Sequence, residues 1–67
     1  MKVESKIVSY LMKYGNTREC DIIGFCVRRF SLSSGDVKKV IDRMVVKGKI
    51  FRVVHDKLEP PEVYLTL

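Results

Sequence analysis

The chain has 67 residues, of which 46% are hydrophobic and 31% charged, and it carries a formal net charge of +5. This size and composition predict one small folded domain and exclude low-complexity disorder. No apolar run approaches the roughly 18–20 residues of a membrane span, and the first residues lack the apolar stretch of a signal peptide, so we expect an intracellular, cytoplasmic protein. Between Arg28 and Lys57 lie nine basic and three acidic residues, which indicates an anionic partner for this part of the chain.

Residues 2–14 predict an amphipathic helix, because apolar side chains recur at i, i+4 and i+8 from Val3. Gly15 is expected to end this helix. We interpret Tyr10 and Tyr14 as core or edge packing, and the alternative is a dimer surface. Because a chain of this size buries only a small core, we expect a homodimer through this first helix.

A second helix is predicted over residues 17–30, with Asn16 and Glu19 as a capping box at its start. Cys20 and Cys26 would then lie about 9 Å apart along the helix axis, too far for a disulfide. Two free, buried thiols suit a reducing compartment. With a single His in the chain, no metal site of the Cys/His type is expected.

Three residues of this second helix invite separate interpretations. Gly24 costs about 1 kcal/mol relative to Ala in a helix, which predicts the close approach of a neighbouring helix. Arg28 and Arg29 suit the negative end of the helix dipole, and they suit a phosphate contact equally well.

The helix predicted over residues 33–47 decides the functional interpretation. An apolar stripe begins at Val37 and recurs at i, i+3, i+4, i+7 and i+8, so one face should lie on a core. Ser33 precedes Asp36 by three residues, as an N-cap does, and Gly48 stands where a helix ends in the left-handed region. The opposite face and its flanks are mostly basic: Gly35, Lys38, Lys39, Asp42, Arg43, Val46 and Lys47.

After this helix the hydrophobic period changes from 3.6 to 2. Residues 50–54 and 63–67 are rich in β-branched and aromatic side chains, and a turn-rich, Pro-containing segment separates them. We therefore predict an antiparallel hairpin. In its first strand we place Phe51 and Val53 inward and Arg52 outward.

The order of helix, helix, short turn, helix and hairpin resembles the winged helix-turn-helix family, in particular small transcriptional regulators of archaea and viruses. The resemblance is carried by the turn 31–33, the helix 37–44 and the run from Lys47 to Arg52, KGKIFR. It implies an α+β fold, namely a three-helix winged helix-turn-helix with a C-terminal β-hairpin wing, as a single domain over residues 1–67.

The same resemblance implies sequence-specific binding of double-stranded DNA, with helix 33–47 in the major groove and the 50–67 hairpin as the wing. Arg43 could donate bidentate hydrogen bonds to guanine, and Lys38 is suited to a phosphate contact. Asp42 could accept from a cytosine amine or pair with a neighbouring lysine, either Lys38 or Lys39. The predicted DNA-binding residues are Ser33, Ser34, Gly35, Lys38, Lys39, Asp42, Arg43, Lys47, Arg52 and Lys57.

The alternative is a winged-helix protein-protein interaction module within a larger complex, whose ligand would cover Val46, Phe51 or Tyr64. An enzyme is not expected, because His55 stands alone in a loop and no Gly-rich phosphate loop is present. Neither a cofactor nor a small-molecule substrate is predicted.

Overall fold

The computed structural model describes residues 2–57 and 59–67. Three helices and a three-stranded antiparallel sheet of order β1-β3-β2 confirm the predicted α+β winged helix-turn-helix with its C-terminal hairpin. The elements in chain order are α1 (Lys2–Tyr14), β1 (Thr17–Arg18), α2 (Glu19–Phe30), α3 (Ser34–Val46), β2 (Phe51–His55) and β3 (Glu62–Thr66).

One hydrophobic core lies between the helices and the sheet. Each helix contributes an apolar stripe at helical spacing, and Ile50 and Leu65 contribute the side chains of the hairpin. Burial of each aliphatic side chain stabilises the fold by about 1.5–3 kcal/mol, so this shared core holds α3 in place. The fully buried members from the helices are Ile7, Leu11, Ile22, Cys26, Val37, Ile41 and Met44.

A three-residue turn joins α2 to α3 and sets the start of α3. Ser31 ends α2 in the left-handed conformation, with φ of 54°. Leu32 is half-buried against the core. The Ser33 hydroxyl oxygen then accepts a hydrogen bond from the backbone amide of Asp36 at 3.2 Å, which confirms the predicted N-cap of α3.

The end of α3 is closed by backbone hydrogen bonds that depend on Gly48. Its φ is +75°, a conformation that costs glycine little because it has no β-carbon. The Gly48 amide donates to the Val45 carbonyl at 3.0 Å, and the Lys49 amide donates to the Met44 carbonyl at 2.9 Å. These two bonds form a Schellman motif, which turns the chain from α3 into the hairpin.

Thr17–Arg18 form a short strand that the sequence analysis assigned to a helix. This strand, β1, pairs with β3, so α2 begins only at Glu19. The predicted capping box of Asn16 and Glu19 is therefore wrong: Arg18 is the N-cap residue, and its side chain makes no capping hydrogen bond. Two residues are too few to show a strand period, and the pairing depends on residues almost 50 positions later.

The hairpin is confirmed, but the predicted orientation of its first strand is wrong. Arg52 lies opposite the fully buried Leu65 and shares the helix-facing side of the sheet with Ile50. Phe51 and Val53 are exposed on the other side. Hydrophobicity alone favoured the opposite register, whereas two helix carboxylates beneath the sheet provide partners for Arg52.

Gly24 does not serve the close helix contact that we predicted from its position. For a β-carbon built at Gly24, the nearest atoms all belong to the Arg28 side chain one turn later, the closest at 3.3 Å. The neighbour is thus a flexible side chain of the same helix, and that prediction is wrong.

The two thiols differ in exposure, and His55 is not in a loop. Cys26 is fully buried as predicted, but Cys20 is exposed, because it lies in the first turn of α2 on the solvent side. His55 is the last residue of β2, and its ring lies edge-on to Tyr64 with centroids 5.0 Å apart.

Candidate nucleic-acid interface

The solvent side of α3 carries four exposed basic side chains, which we call the basic face: Lys38, Lys39, Arg43 and the C-cap residue Lys47. Packing of the apolar stripe on the core forces these side chains outward. Within residues 2–57 and 59–67, none of the four takes part in an ion pair. Lys39 and Arg43 are one helical turn apart, so both can face a single groove.

α3 has two acids, Asp36 in its first turn and Asp42, and the partner of Asp42 is Arg52 of β2. One Arg52 nitrogen, Nη2, lies 2.5 Å from Oδ1 of Asp42 and 2.9 Å from Oε1 of Glu19 at the start of α2. The side chains are 49%, 28% and 13% exposed for Asp42, Arg52 and Glu19. The hydrogen bond with Asp42 is the largest cause that raises the pKa of Arg52 above its ordinary value.

This Glu19–Arg52–Asp42 cluster joins three elements. The default pairing of Asp42 with Lys38 or Lys39 is replaced by a pairing with the hairpin. The cluster holds two carboxylates and one guanidinium, and because Asp42 pairs with Arg52, the exposed lysines and arginine of α3 are left without an ion-pair partner among the described residues. Glu19 was overlooked as a member of this site, since only the fold brings α2 next to β2.

The remaining ion pairs lie outside the basic face. Lys49 is 3.7 Å from Glu4 of α1, and Arg18 of β1 is 2.9 Å from Glu62 of β3. In the part of the chain that the structure describes, every ion pair therefore draws its base from outside the basic face. The acids in these pairs are Glu4, Glu19, Asp42 and Glu62.

A hydrogen-bond network fixes the start of β3 against β1. The Tyr64 hydroxyl donates to Oε2 of Glu62 at 2.7 Å, and the other oxygen of Glu62 faces Arg18. Hydrogen bonding with Tyr64, followed by the charge of Glu62, raises the pKa of Arg18 above its ordinary value. The network holds the base of the hairpin but adds no free charge to the basic face.

The N-terminus of α3 is open to solvent beside the basic face. Ser33, Ser34 and Gly35 are all exposed, and no atom lies within 4 Å of the point that a β-carbon of Gly35 would occupy. The first amides of a helix lack intrahelical partners and carry a partial positive charge, which suits an anion. Asp36 in the same turn places one negative charge nearby.

The structure separates the two hairpin residues among the predicted contacts. Lys57 follows β2 and is exposed. Arg52, in contrast, faces the helices and is bound by Glu19 and Asp42, so it links the hairpin to α2 and α3 and is not part of the basic face. Lys38 borders a groove of about 410 Å³ that also includes Pro60 and Pro61, which shows that the segment before β3 lies on the Lys38 side of α3.

Neither a metal-binding cluster nor a membrane-spanning helix is found among the described residues. Within residues 2–57 and 59–67, no three His, Cys, Asp or Glu side chains are grouped to hold a metal ion. No helix in those ranges combines the length and apolar character needed to cross a membrane. No protein-family model matches the chain, and neither a curated protein nor a solved structure shows significant similarity to it.

Proposed function

We propose that this protein binds double-stranded DNA sequence-specifically as a small transcriptional regulator, with α3 in the major groove and the hairpin as the wing. One observation carries the proposal: the four side chains of the basic face are exposed and unpaired among the described residues, while Asp42, one of the two acids of α3, is paired with Arg52.

The dimensions and charges of α3 suit a duplex. A helix of 13 residues is about 20 Å long, and the major groove is about 12 Å wide, enough to admit a helix. Each phosphate that a lysine or arginine neutralises releases counterions, and this release supplies most of the non-specific affinity. The four bases of the basic face are therefore suited to a DNA partner.

Within this proposal the predicted residues take different roles. Arg43 and Lys39 face the bases, since guanine offers two acceptors in the major groove to a guanidinium or an ammonium group. Lys38 and Lys47 contact phosphates on the flanks, and the amides at Ser34 and Gly35 bind another phosphate at the helix N-terminus. Lys57 contacts the backbone from the hairpin, and Ser33 keeps its capping role.

A regulator of this type is intracellular and associated with the nucleoid, and we propose that it acts as a homodimer. Two-fold symmetry favours a palindromic site whose half-sites lie about 10 base pairs apart. Such a dimer doubles the number of phosphate contacts that a small domain can make.

A protein-protein interaction module is the second candidate, and exposed apolar side chains favour it. Val46 at the end of α3 is almost fully exposed, and Phe51 is more than half exposed. Such residues are often found at the centre of protein interfaces, where aromatic side chains contribute most affinity. This candidate predicts binding that does not depend on the basic face.

Duplex titration of two double variants with the same loss of charge separates these candidates. Lys39→Ala/Arg43→Ala removes two charges from the basic face, and Lys6→Ala/Lys13→Ala removes two from the exposed side of α1. We expect the first variant to weaken binding at least about tenfold more than the second, since one base contact alone is worth about 1–3 kcal/mol. Equal effects of the two variants, or intact binding by the first, would exclude α3 as the recognition helix.

A further inference from the structure

The strand β2 forms an edge of the sheet. The order β1-β3-β2 leaves one side of β2 without a neighbouring strand among the described residues. In an antiparallel pair, alternate residues direct their backbone N–H and C=O groups to the partner, so the other residues of β2 direct theirs away from β3. These groups form a template for one more strand.

The side chains of β2 are unusually apolar for an exposed edge. Phe51, Val53 and Val54 are 56%, 41% and 50% exposed, and together they make up three of the five residues of the strand. Natural edge strands commonly carry a lysine, a proline or a bulge that prevents pairing with another chain. The only formal charge in β2 belongs to Arg52, which is turned toward the helices and bound by Glu19 and Asp42.

We propose that β2 pairs antiparallel with β2 of a second copy of this chain, about a two-fold axis that passes through Val53. In this register Val53 lies opposite itself, and Phe51 lies opposite His55 of the second copy. Arg52 lies opposite Val54, so no like charges meet within Phe51–His55, and two three-stranded sheets become one of six strands. The partner is a second copy because in this register the exposed apolar side chains of the strand lie opposite uncharged side chains or their own copies, and the single charge of the strand is already paired within its own chain.

Electrostatics favours this surface over α1, the helix to which the sequence analysis assigned the dimer. The exposed side of α1 carries the basic residues Lys6 and Lys13, while its acid Glu4 faces Lys49. In an antiparallel two-fold contact centred between Lys6 and Lys13, each of these lysines would lie near the other lysine of the second copy. Within Phe51–His55 the β2 edge sets no like charges against each other.

Sedimentation velocity up to high micromolar concentration, without DNA, tests the surface. We expect a concentration-dependent dimer that Val53→Lys weakens at least about tenfold, because two ammonium groups then lie directly opposite at the axis. Val53→Thr keeps a β-branched side chain and should retain the dimer, and Met12→Lys on α1 should leave it unchanged. Circular dichroism verifies that each variant is folded. A wild-type monomer at every concentration overturns the proposal, as does a dimer that Met12→Lys disrupts and Val53→Lys leaves intact.

Cysteine cross-linking tests the register without adding charge. In a Cys20→Ser background, Val53→Cys places two thiols across the axis, where paired Cα atoms lie about 4.5–5.5 Å apart, within the range of a disulfide. Mild oxidation should then give a covalent dimer. In the matched control, Lys57→Cys, the two thiols lie eight residues out of register, about 27 Å apart at 3.4 Å per residue, and should not cross-link. Equal cross-linking of both variants, or of neither, would contradict this pairing. All of these measurements are made without DNA, so their outcome is independent of the proposed DNA binding.

Discussion

Replacement of Arg52 by methionine separates its support of the basic face from a direct role in binding DNA. The change keeps a long side chain beside Leu65 but removes the guanidinium group that bonds Glu19 and Asp42. Glu19 is largely buried, so its carboxylate would lose its partner in a poorly hydrated position. Asp42 is half exposed and would be rehydrated at little cost.

The two carboxylates predict different contributions to the loss of stability. A hydrogen bond to a charged group is worth about 1.5–3 kcal/mol, which we assign to Glu19. The half-exposed pair with Asp42 adds at most about 0.5–1 kcal/mol because water screens it. The free energy of unfolding should therefore fall by about 2–4 kcal/mol, which lowers Tm by roughly 8–32 °C in a domain of this size.

The same variant should weaken DNA binding through the freed charge of Asp42. At about 7 Å from a phosphate in water, an uncompensated carboxylate costs about 0.6 kcal/mol, or roughly threefold in affinity. In the double variant Arg52→Met/Asp42→Asn the added charge is absent, so affinity should return to nearly that of the wild type. A direct phosphate contact by Arg52 would instead leave the double variant as weak as the single one.

Chemical denaturation and duplex titration provide the assay, with Lys49→Met as the matched control. This control also loses one charge and one carboxylate partner, and Glu4 is 15% exposed, about as buried as Glu19, but the 3.7 Å separation of Lys49 and Glu4 is too long for a hydrogen bond and the Lys49 side chain is half exposed. We expect this control to lose less than about 1 kcal/mol. Equal stability losses in Arg52→Met and Lys49→Met would refute the assignment of the Glu19–Arg52–Asp42 cluster as a joint between the helices and the hairpin.

Four further predictions concern α3 and the thiols. Gly35→Ala should stabilise the fold by about 0.5–1 kcal/mol in urea denaturation, because alanine favours the helix and its β-carbon meets no neighbouring atom. The same change should weaken duplex binding, because the added methyl group blocks the approach of a phosphate. Unchanged affinity would exclude a phosphate site at the N-terminus of α3. The plot of the logarithm of the DNA association constant against the logarithm of the salt concentration should have a slope between about −3.6 and −5.4, for roughly four to six phosphate contacts per protomer. Lys38→Ala should lower the magnitude of this slope by nearly one, and an unchanged slope would exclude Lys38 as a phosphate contact. Thiol labelling followed by mass spectrometry should modify Cys20 rapidly and Cys26 only on unfolding, and simultaneous labelling would contradict the packing of α2. Burial raises the pKa of the Cys26 thiol, so with rising pH the unfolded chain loses this proton before the folded protein does. The contribution of Cys26 to stability is therefore complete below about pH 8.5 and declines above it. Cys26→Ala should remove this decline in urea denaturation.

The parts of the fold that sequence predicts well are those fixed by local patterns. The stripe that begins at Val37, the N-cap Ser33 and the left-handed Gly48 each leave a signal within a few residues, and α3 follows with nearly the predicted bounds. The hairpin follows from its change of period for the same reason. These features depend on contacts whose partners are close in the chain.

The features that sequence analysis missed depend on residues far apart in the chain. The strand β1 exists because Arg18 and its neighbour pair with β3, and two residues cannot show a period of their own. The orientation of Arg52 is decided by Glu19, which is 33 positions earlier, so a hydrophobic pattern within the strand gave the wrong face. Hence the basic face could be predicted from the sequence of α3 alone, whereas the ion pair of Asp42 with Arg52 could not.

NMR titration tests most directly whether α3 contacts DNA through its basic face. A uniformly ¹⁵N-labelled sample of this small protein would be titrated with duplex DNA while the backbone amide shifts are followed. We predict that the largest saturable changes map to residues 33–47 and to Lys57, with little change at the exposed positions of α1 such as Ser5 and Lys6. Changes confined to α1 or to the β2 edge, or the absence of saturable changes at α3, would contradict the claim.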